Sequence, residues 1–296
     1  MEIGGRTEKR AAKWKFSNEE HSQLNELIKT LNDTKIKRWD GKEREKLESW
    51  ERKLVGRAFI RALIVHEGHL RDSGEKYFNH PYQTALELAG NGGTAEQIAS
   101  ALLHDTLERE TGTGHALVFN DLHKEFGGKI ALSVALQTKQ KYDKEKDKWV
   151  LPSSNRYAKT THYEGATVRE RAEIYKLREQ ILVGKLLRRG DMNAILAKMY
   201  ETRHNISDLQ GVHLDISDTK LETYLSKLKT TYTKLKERVR LFGEITHNHP
   251  ALLPHYFKLK SAFDEMNNTS FGSLARMSLE KGRKTMQLKK KGETQD

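Results

Sequence analysis

The chain has 296 residues, four prolines, no cysteine, and 53 Lys+Arg against 41 Asp+Glu, a net charge of +12. Without cysteine there is no disulfide scaffold, thiol nucleophile, zinc ribbon or iron–sulfur site, so a metal would have to be held by His, Asp or Glu. No apolar stretch approaches the ~20 residues of a membrane span and the N-terminus lacks a signal-like apolar run, so a soluble, cytoplasmic protein is expected.

With prolines only at 81, 152, 250 and 254, and Ala, Leu, Glu, Lys and Arg dominating between them, an all-α fold is predicted, the weak strand signal at 130–135 aside. Ser17 and Asn18 are N-cap candidates for a helix over 17–31, whose Leu24, Leu27, Ile28 and Leu31 share one face. Residues 41–55 are mostly charged and read as a solvated helix leading into Phe59, Ile60, Leu63 and Ile64. A helix after Pro81 should stop at Gly90, and Thr94 with Gln97 forms a capping box for a helix through about Arg109. The segment 137–168 is polar, charged and interrupted by Pro152 and Gly165, the pattern of a mobile loop or lid. Helices are predicted over 169–188, 191–205, 218–242 and 251–266. From about Ser273 the chain is Lys-rich and expected to be disordered.

His104-Asp105 lies within the helix predicted after Thr94, with Glu108 at i+4 from the histidine, so three ionisable groups can turn toward one cavity. An aspartate in the apolar run IASALLHDTLE needs positive compensation, which a divalent cation supplies. His80 precedes Pro81, which should hold it extended at a helix entrance. Glu201, His204 and Asn205 sit at i, i+3 and i+4 of a later helix. His80, His104, Asp105 and Glu201 would give two nitrogens and two carboxylates, a mixed set suited to Mn²⁺, Fe²⁺ or Zn²⁺ with positions open for water. His66, His69 and His204 read as packing or capping residues. The cluster His247, His249 and His255 reads as an ordinary loop rather than a second metal site.

Several ordered motifs then agree: His66-x-Gly68-x-x-Arg71-x-Ser73-Gly74-Glu75-x-Tyr77-x-x-His80-Pro81, Leu102-Leu103-His104-Asp105-Thr106-x-Glu108, Phe126-Gly127, and Ile195-Leu196-x-Lys198 leading to His204-Asn205. Over roughly residues 56–215 the chain resembles the HD-type hydrolase domain of the RelA/SpoT homologues, which remove pyrophosphate from the 3′ position of guanosine tetra- and pentaphosphate. The resemblance implies an HD-domain helical bundle without a synthetase domain, a Mn²⁺ or other divalent cofactor, and His80, His104 and Asp105 as ligands, with Glu201 in the place of an aspartate. It implies Glu108 as the carboxylate that handles the attacking water, Arg71 and Ser73 at the guanine end, and Asn205 at the sugar–phosphate region, while Tyr77 reads as packing. Arg109 stands where the family has a second carboxylate; its guanidinium is suited to engaging a phosphate.

The expected organisation is a helical N-terminal extension (1–55), the hydrolase-like domain (56–215), and a helical C-terminal extension with a basic tail (216–296). The alternatives are an HD-fold hydrolase of another nucleotide or phosphoester, or a catalytically weak nucleotide-binding regulator. Residues 56–215 carry 23 basic and 21 acidic residues and 216–296 carry 16 and 9. The basic excess therefore sits away from the predicted site. A nucleotide is the expected partner, with no membrane partner and with nucleic acid kept only as a minor option for the C-terminal segment.

Overall fold

The computed structural model describes residues 15–34, 47–71, 74–107, 117, 119–138, 141–143, 148–150, 182–186, 189–210 and 218–268. The chain divides into two compact units, one comprising Met1–Thr160 with Leu182–His204, the other Thr161–Ile181 with Asn205–Asp296.

The first unit is built around a short helix with almost no exposed face. Among the described residues, five helices precede the hairpin: α1 (Asn18–Asp33), α2 (Ser49–His66), α3 (Asn79–Gly90), α4 (Ala95–Leu103) and α5 (Phe119–Gln137). In α4, whose sequence is AEQIASALL, every residue but Glu96 is buried. Its alanines and Ser100 let neighbours approach closely, and it packs against α2, α3 and α5. Thr94 caps it as a box, the hydroxyl accepting from the Gln97 amide while the Gln97 side chain accepts from the Thr94 amide. Gly93, just before, is required by space. A Cβ there would lie 2.8 Å from Leu88 Cγ and 2.9 Å from the Leu88 carbonyl oxygen.

Several polar groups inside this core bond to one another across helices. Ser100 and Ser133 share a 2.7 Å hydrogen bond between α4 and α5, and the Gln137 amide donates to Ser100 Oγ at 2.9 Å. Arg61 of α2, 3% exposed, forms an ion pair with Glu125 of α5. Phe59, Phe78 and Tyr82 join α2 to α3 edge to face, with ring centroids 4.9 and 6.2 Å from Phe59. Gly127, at φ 81°, breaks α5 into two pieces, a backbone conformation that explains glycine after Phe126.

Strands β1 (Lys141–Asp143) and β2 (Lys148–Val150) form an antiparallel hairpin with Tyr142 opposite Trp149. It occupies part of the segment expected as a loop. Residues 130–135, the weak strand signal, are helical, because their i, i+4 burial inside α5 outweighs β-propensity. Residues 182–186 are helical, with the Lys185 ammonium donating to the carbonyls of Ala135 and Thr138. Helix α6 (Met192–Gln210) then returns, longer than the predicted 191–205. Its Arg203 forms an ion pair with Glu87 of α3.

Three further boundaries differ from expectation. The charged helix predicted over 41–55 starts in the described chain at Ser49, capped by Glu48. The helix opened by Thr94 ends at Leu103 rather than near Arg109, because side chains take over its last carbonyls. His104 Nδ1 bonds the Ala101 carbonyl at 2.7 Å, and the Thr106 hydroxyl and amide both bond the Leu103 carbonyl. His80 lies in the first turn of α3 rather than in an extended segment, since Pro81 falls where the missing amide proton has no helical partner to serve.

In the second unit, α7 (Asp218–Asn248), a 3₁₀ turn (Pro250–Leu252) and α8 (Leu253–Asn267) form a helical hairpin. Leu235, Val239, Phe242 and Ile245 are buried on α7, and Leu259, Phe263 and Met266 on α8. The Tyr232 ring lies tilted against Phe263 at 5.7 Å, and its hydroxyl donates to Asn267 Oδ1 at 2.8 Å. Most of the predicted 169–188 helix and the tail from 273 lie outside the described residues. Among the described residues, no helix is long and apolar enough to cross a membrane.

Candidate metal and active site

Three elements of the first unit bring ionisable side chains into its interior. The first turn of α3 places His80, the turn after α4 places His104 and Asp105, and α6 places Glu201. Their exposures are 3%, 1%, 5% and 3%, burial that ionisable groups reach only when something compensates them. One ligand atom from each of His80, His104 and Glu201 lies within 4.8 Å of the others. Among the described residues this is the group able to hold a metal ion. Asp105 stands beside it, with Oδ2 3.3 Å from His104 Nε2.

The hydrogen bonds fix which atoms are offered. A carbonyl only accepts, so His104 Nδ1 must carry the proton it gives to Ala101, and Nε2 is left as the ligating nitrogen of the neutral ring. That Nε2 is buried and faces the Asp105 carboxylate. His80 Nδ1 lies 3.1 Å from His204 Nδ1, so its second nitrogen is also oriented by a ring behind it. Asp105 Oδ2 accepts from the Tyr77 hydroxyl at 2.6 Å.

Electrostatics separates the two histidines. Burial holds His80 well below the ordinary histidine range, and the neighbouring His104 and Arg71 add to the depression. For His104, burial opposes the charged form, but the Asp105 carboxylate outweighs it and the pKa is raised. Two buried imidazoles and two carboxylates converging on one spot are a donor set that fits a divalent cation.

The structure thus brings together His80, His104 and Glu201, with Asp105 alongside. Arg71 is half-buried in the loop before α3, where its backbone closes a turn with Gly74 and Glu75. Asn205 is half-buried on α6. Ser73, Glu108 and Arg109 lie outside the described residues. His247, His249 and His255 form no metal-holding group among the described residues.

Two residues carry more than the sequence suggested. Tyr77, read as packing, holds Asp105 through its hydroxyl. Lys198 is fully buried and forms an ion pair with Glu201, a pairing announced by the i, i+3 spacing on α6.

Residues 58–169 match the family model of the HD domain. A protein named probable chloroplastic GTP diphosphokinase, from Oryza sativa subsp. japonica, is 26% identical over 161 residues, covering 54% of this chain and 19% of that protein. A guanosine-3′,5′-bis(diphosphate) 3′-pyrophosphohydrolase of Aquifex aeolicus is 39% identical over 85 residues, 29% of this chain and 12% of its own length. The bifunctional (p)ppGpp synthase/hydrolase SpoT of Escherichia coli is 33% identical over 109 residues, 36% of this chain and 12% of its own. The chain therefore spans less than a fifth of these relatives. A solved structure described as a metazoan ortholog of SpoT that hydrolyzes ppGpp is covered in full and covers 71% of this chain, at 18% identity and a TM-score of 0.38. The resemblance to the HD-type hydrolase domain of the RelA/SpoT homologues, read from the motifs, stands in these matches.

Proposed function

We propose that the HD-domain region is a divalent-cation-dependent phosphohydrolase acting on guanosine 3′-diphosphate nucleotides, releasing pyrophosphate. The observation that carries this reading is the buried convergence of His80, His104 and Glu201 with Asp105 beside them. The names of these relatives support the substrate class.

His80 and His104 through nitrogen, and Asp105 and Glu201 through oxygen, would hold the cation, which supplies Lewis-acid polarisation of a phosphoryl oxygen and a lowered water pKa. Everything else falls to the chain's own residues. The Ala101 carbonyl keeps His104 in one tautomer, and the Tyr77 hydroxyl holds the Asp105 carboxylate in place. Arg71, in the loop that opens α3, would hold the nucleotide together with Ser73, and Asn205 would hold its sugar–phosphate part. Glu108 would take a proton from the attacking water, whose oxygen attacks the phosphorus on the ribose 3′ oxygen in line. The bond to that oxygen breaks, the proton passes to it, and guanosine 5′-di- or triphosphate leaves with pyrophosphate. Arg109, next along the chain, would carry phosphate charge in the transition state.

The test is a substrate panel. Purified chain with Mn²⁺ should release pyrophosphate from guanosine 3′-polyphosphates and not from deoxynucleoside triphosphates or NADPH, and Asp105→Ala should abolish the release. Turnover of the other nucleotides alone would move the substrate class, and turnover indifferent to Asp105→Ala would remove the site assignment.

A further inference from the structure

Lys198 has no place in the reaction just described, yet it is fully buried against the same cluster. It sits on α6 three residues before Glu201, and its ammonium forms an ion pair with the Glu201 carboxylate, itself 3% exposed. Its neighbours on the helix, Ile195, Leu196, Ala197 and Met199, are all buried and apolar, so a leucine or methionine would suit the packing. A buried ammonium carries a large desolvation penalty and persists where an anion requires it.

We propose that Lys198 is the resident counter-ion of the metal site: it orients Glu201 in the metal-free protein and sets the charge that an arriving divalent cation meets. This rests on reading the cluster as a metal site. Asp105 and Glu201 bring two carboxylates to the cluster, and Lys198 is paired with one of them. Glu201 is therefore held in place in the metal-free unit without needing the cation. A carboxylate has two oxygens and about four lone-pair positions, so pairing with one ammonium leaves Glu201 with capacity for a cation. The ammonium opposes that cation at close range and weakens its binding, which favours exchange over permanent capture.

The experiment is Mn²⁺ titration by calorimetry together with thermal unfolding, with and without Mn²⁺, on wild type, Lys198→Met and Glu201→Gln. Lys198→Met keeps the stem and removes the charge. It should lower the metal-free Tm by about 5 °C or more, bind Mn²⁺ at least about tenfold tighter, and recover most of the lost Tm at saturation. An equal Tm loss with and without Mn²⁺, at unchanged affinity, would overturn the proposal. Glu201→Gln gives an answer even if Lys198→Met does not fold. A carboxylate that served the cation alone would, once neutralised, leave the metal-free protein as stable as wild type or more so, through relief of repulsion with Asp105. A carboxylate that serves Lys198 makes metal-free Glu201→Gln less stable than wild type, which is the result expected. Wild type that takes up no Mn²⁺ contradicts the metal-site reading and the proposal with it. Wild type that binds Mn²⁺ while Glu201→Gln keeps its metal-free stability contradicts the counter-ion role alone.

Discussion

Tyr77 and His104 show how single atoms prepare the cluster. His104 offers Nε2 because Nδ1 is committed to a backbone carbonyl, and Asp105 is held by a phenol hydroxyl 2.6 Å away. Partners of this kind affect metal affinity almost as strongly as the ligands themselves. Tyr77→Phe should therefore weaken Mn²⁺ binding about 10- to 100-fold while leaving the fold intact, measured by calorimetric titration alongside circular dichroism. Elsewhere in the first unit, Arg61→Met strips Glu125 of its buried partner. The expected loss is about 2–3 kcal/mol by denaturant unfolding, below the ~3–5 kcal/mol of a fully buried pair because Glu125 is 15% exposed. At this scale the sequence was a good guide to residue types. His104 and Asp105 could be named because charged groups in an apolar helical run stand out, His80 because it precedes Pro81, and Glu201 from its spacing with His204 and Asn205. Tyr77 could not be assigned, because an aromatic three residues from a histidine looks the same whether it packs or donates.

Among the elements, α4 decides where the site lies. Its burial on nearly every face fixes where it sits, and the turn after its end at Leu103 delivers His104 and Asp105. The start of α4 was legible because capping boxes are local. Its end was not, because His104 and Thr106 terminate it by bonding back to carbonyls, a competition that helical periodicity does not register. The hairpin at 141–150 was missed for a related reason: two three-residue strands are too short to show alternation against a charged background. Thr94→Ala should remove about 1 kcal/mol of stability by losing one cap bond. Gly93→Ala should remove more, since its Cβ meets backbone oxygen at 2.9 Å. Urea unfolding of the two variants side by side checks the order.

For the molecule as a whole, the charge and the chemistry are separated. The cluster belongs to a near-neutral stretch, and most of the excess positive charge lies beyond residue 215. The second unit adds its own response to acid. His255 on α8 is pushed down to about 4 by burial, with Lys258 adding to it. Its unfolded value is near the ordinary 6.5, so between those values the unfolded chain binds the extra proton. The stability contributed is fully present above about pH 6.5 and is lost as pH falls toward 4. His255→Gln should flatten the fall in Tm between pH 6.5 and 4.5 relative to wild type.

That the buried cluster is a cation site is tested most closely by direct binding. Calorimetric titration of the metal-free chain with Mn²⁺ should show one site per chain in wild type and none in His104→Ala at matched protein concentration, with both proteins folded. Absence of binding in wild type, or binding of equal strength in His104→Ala, would contradict it.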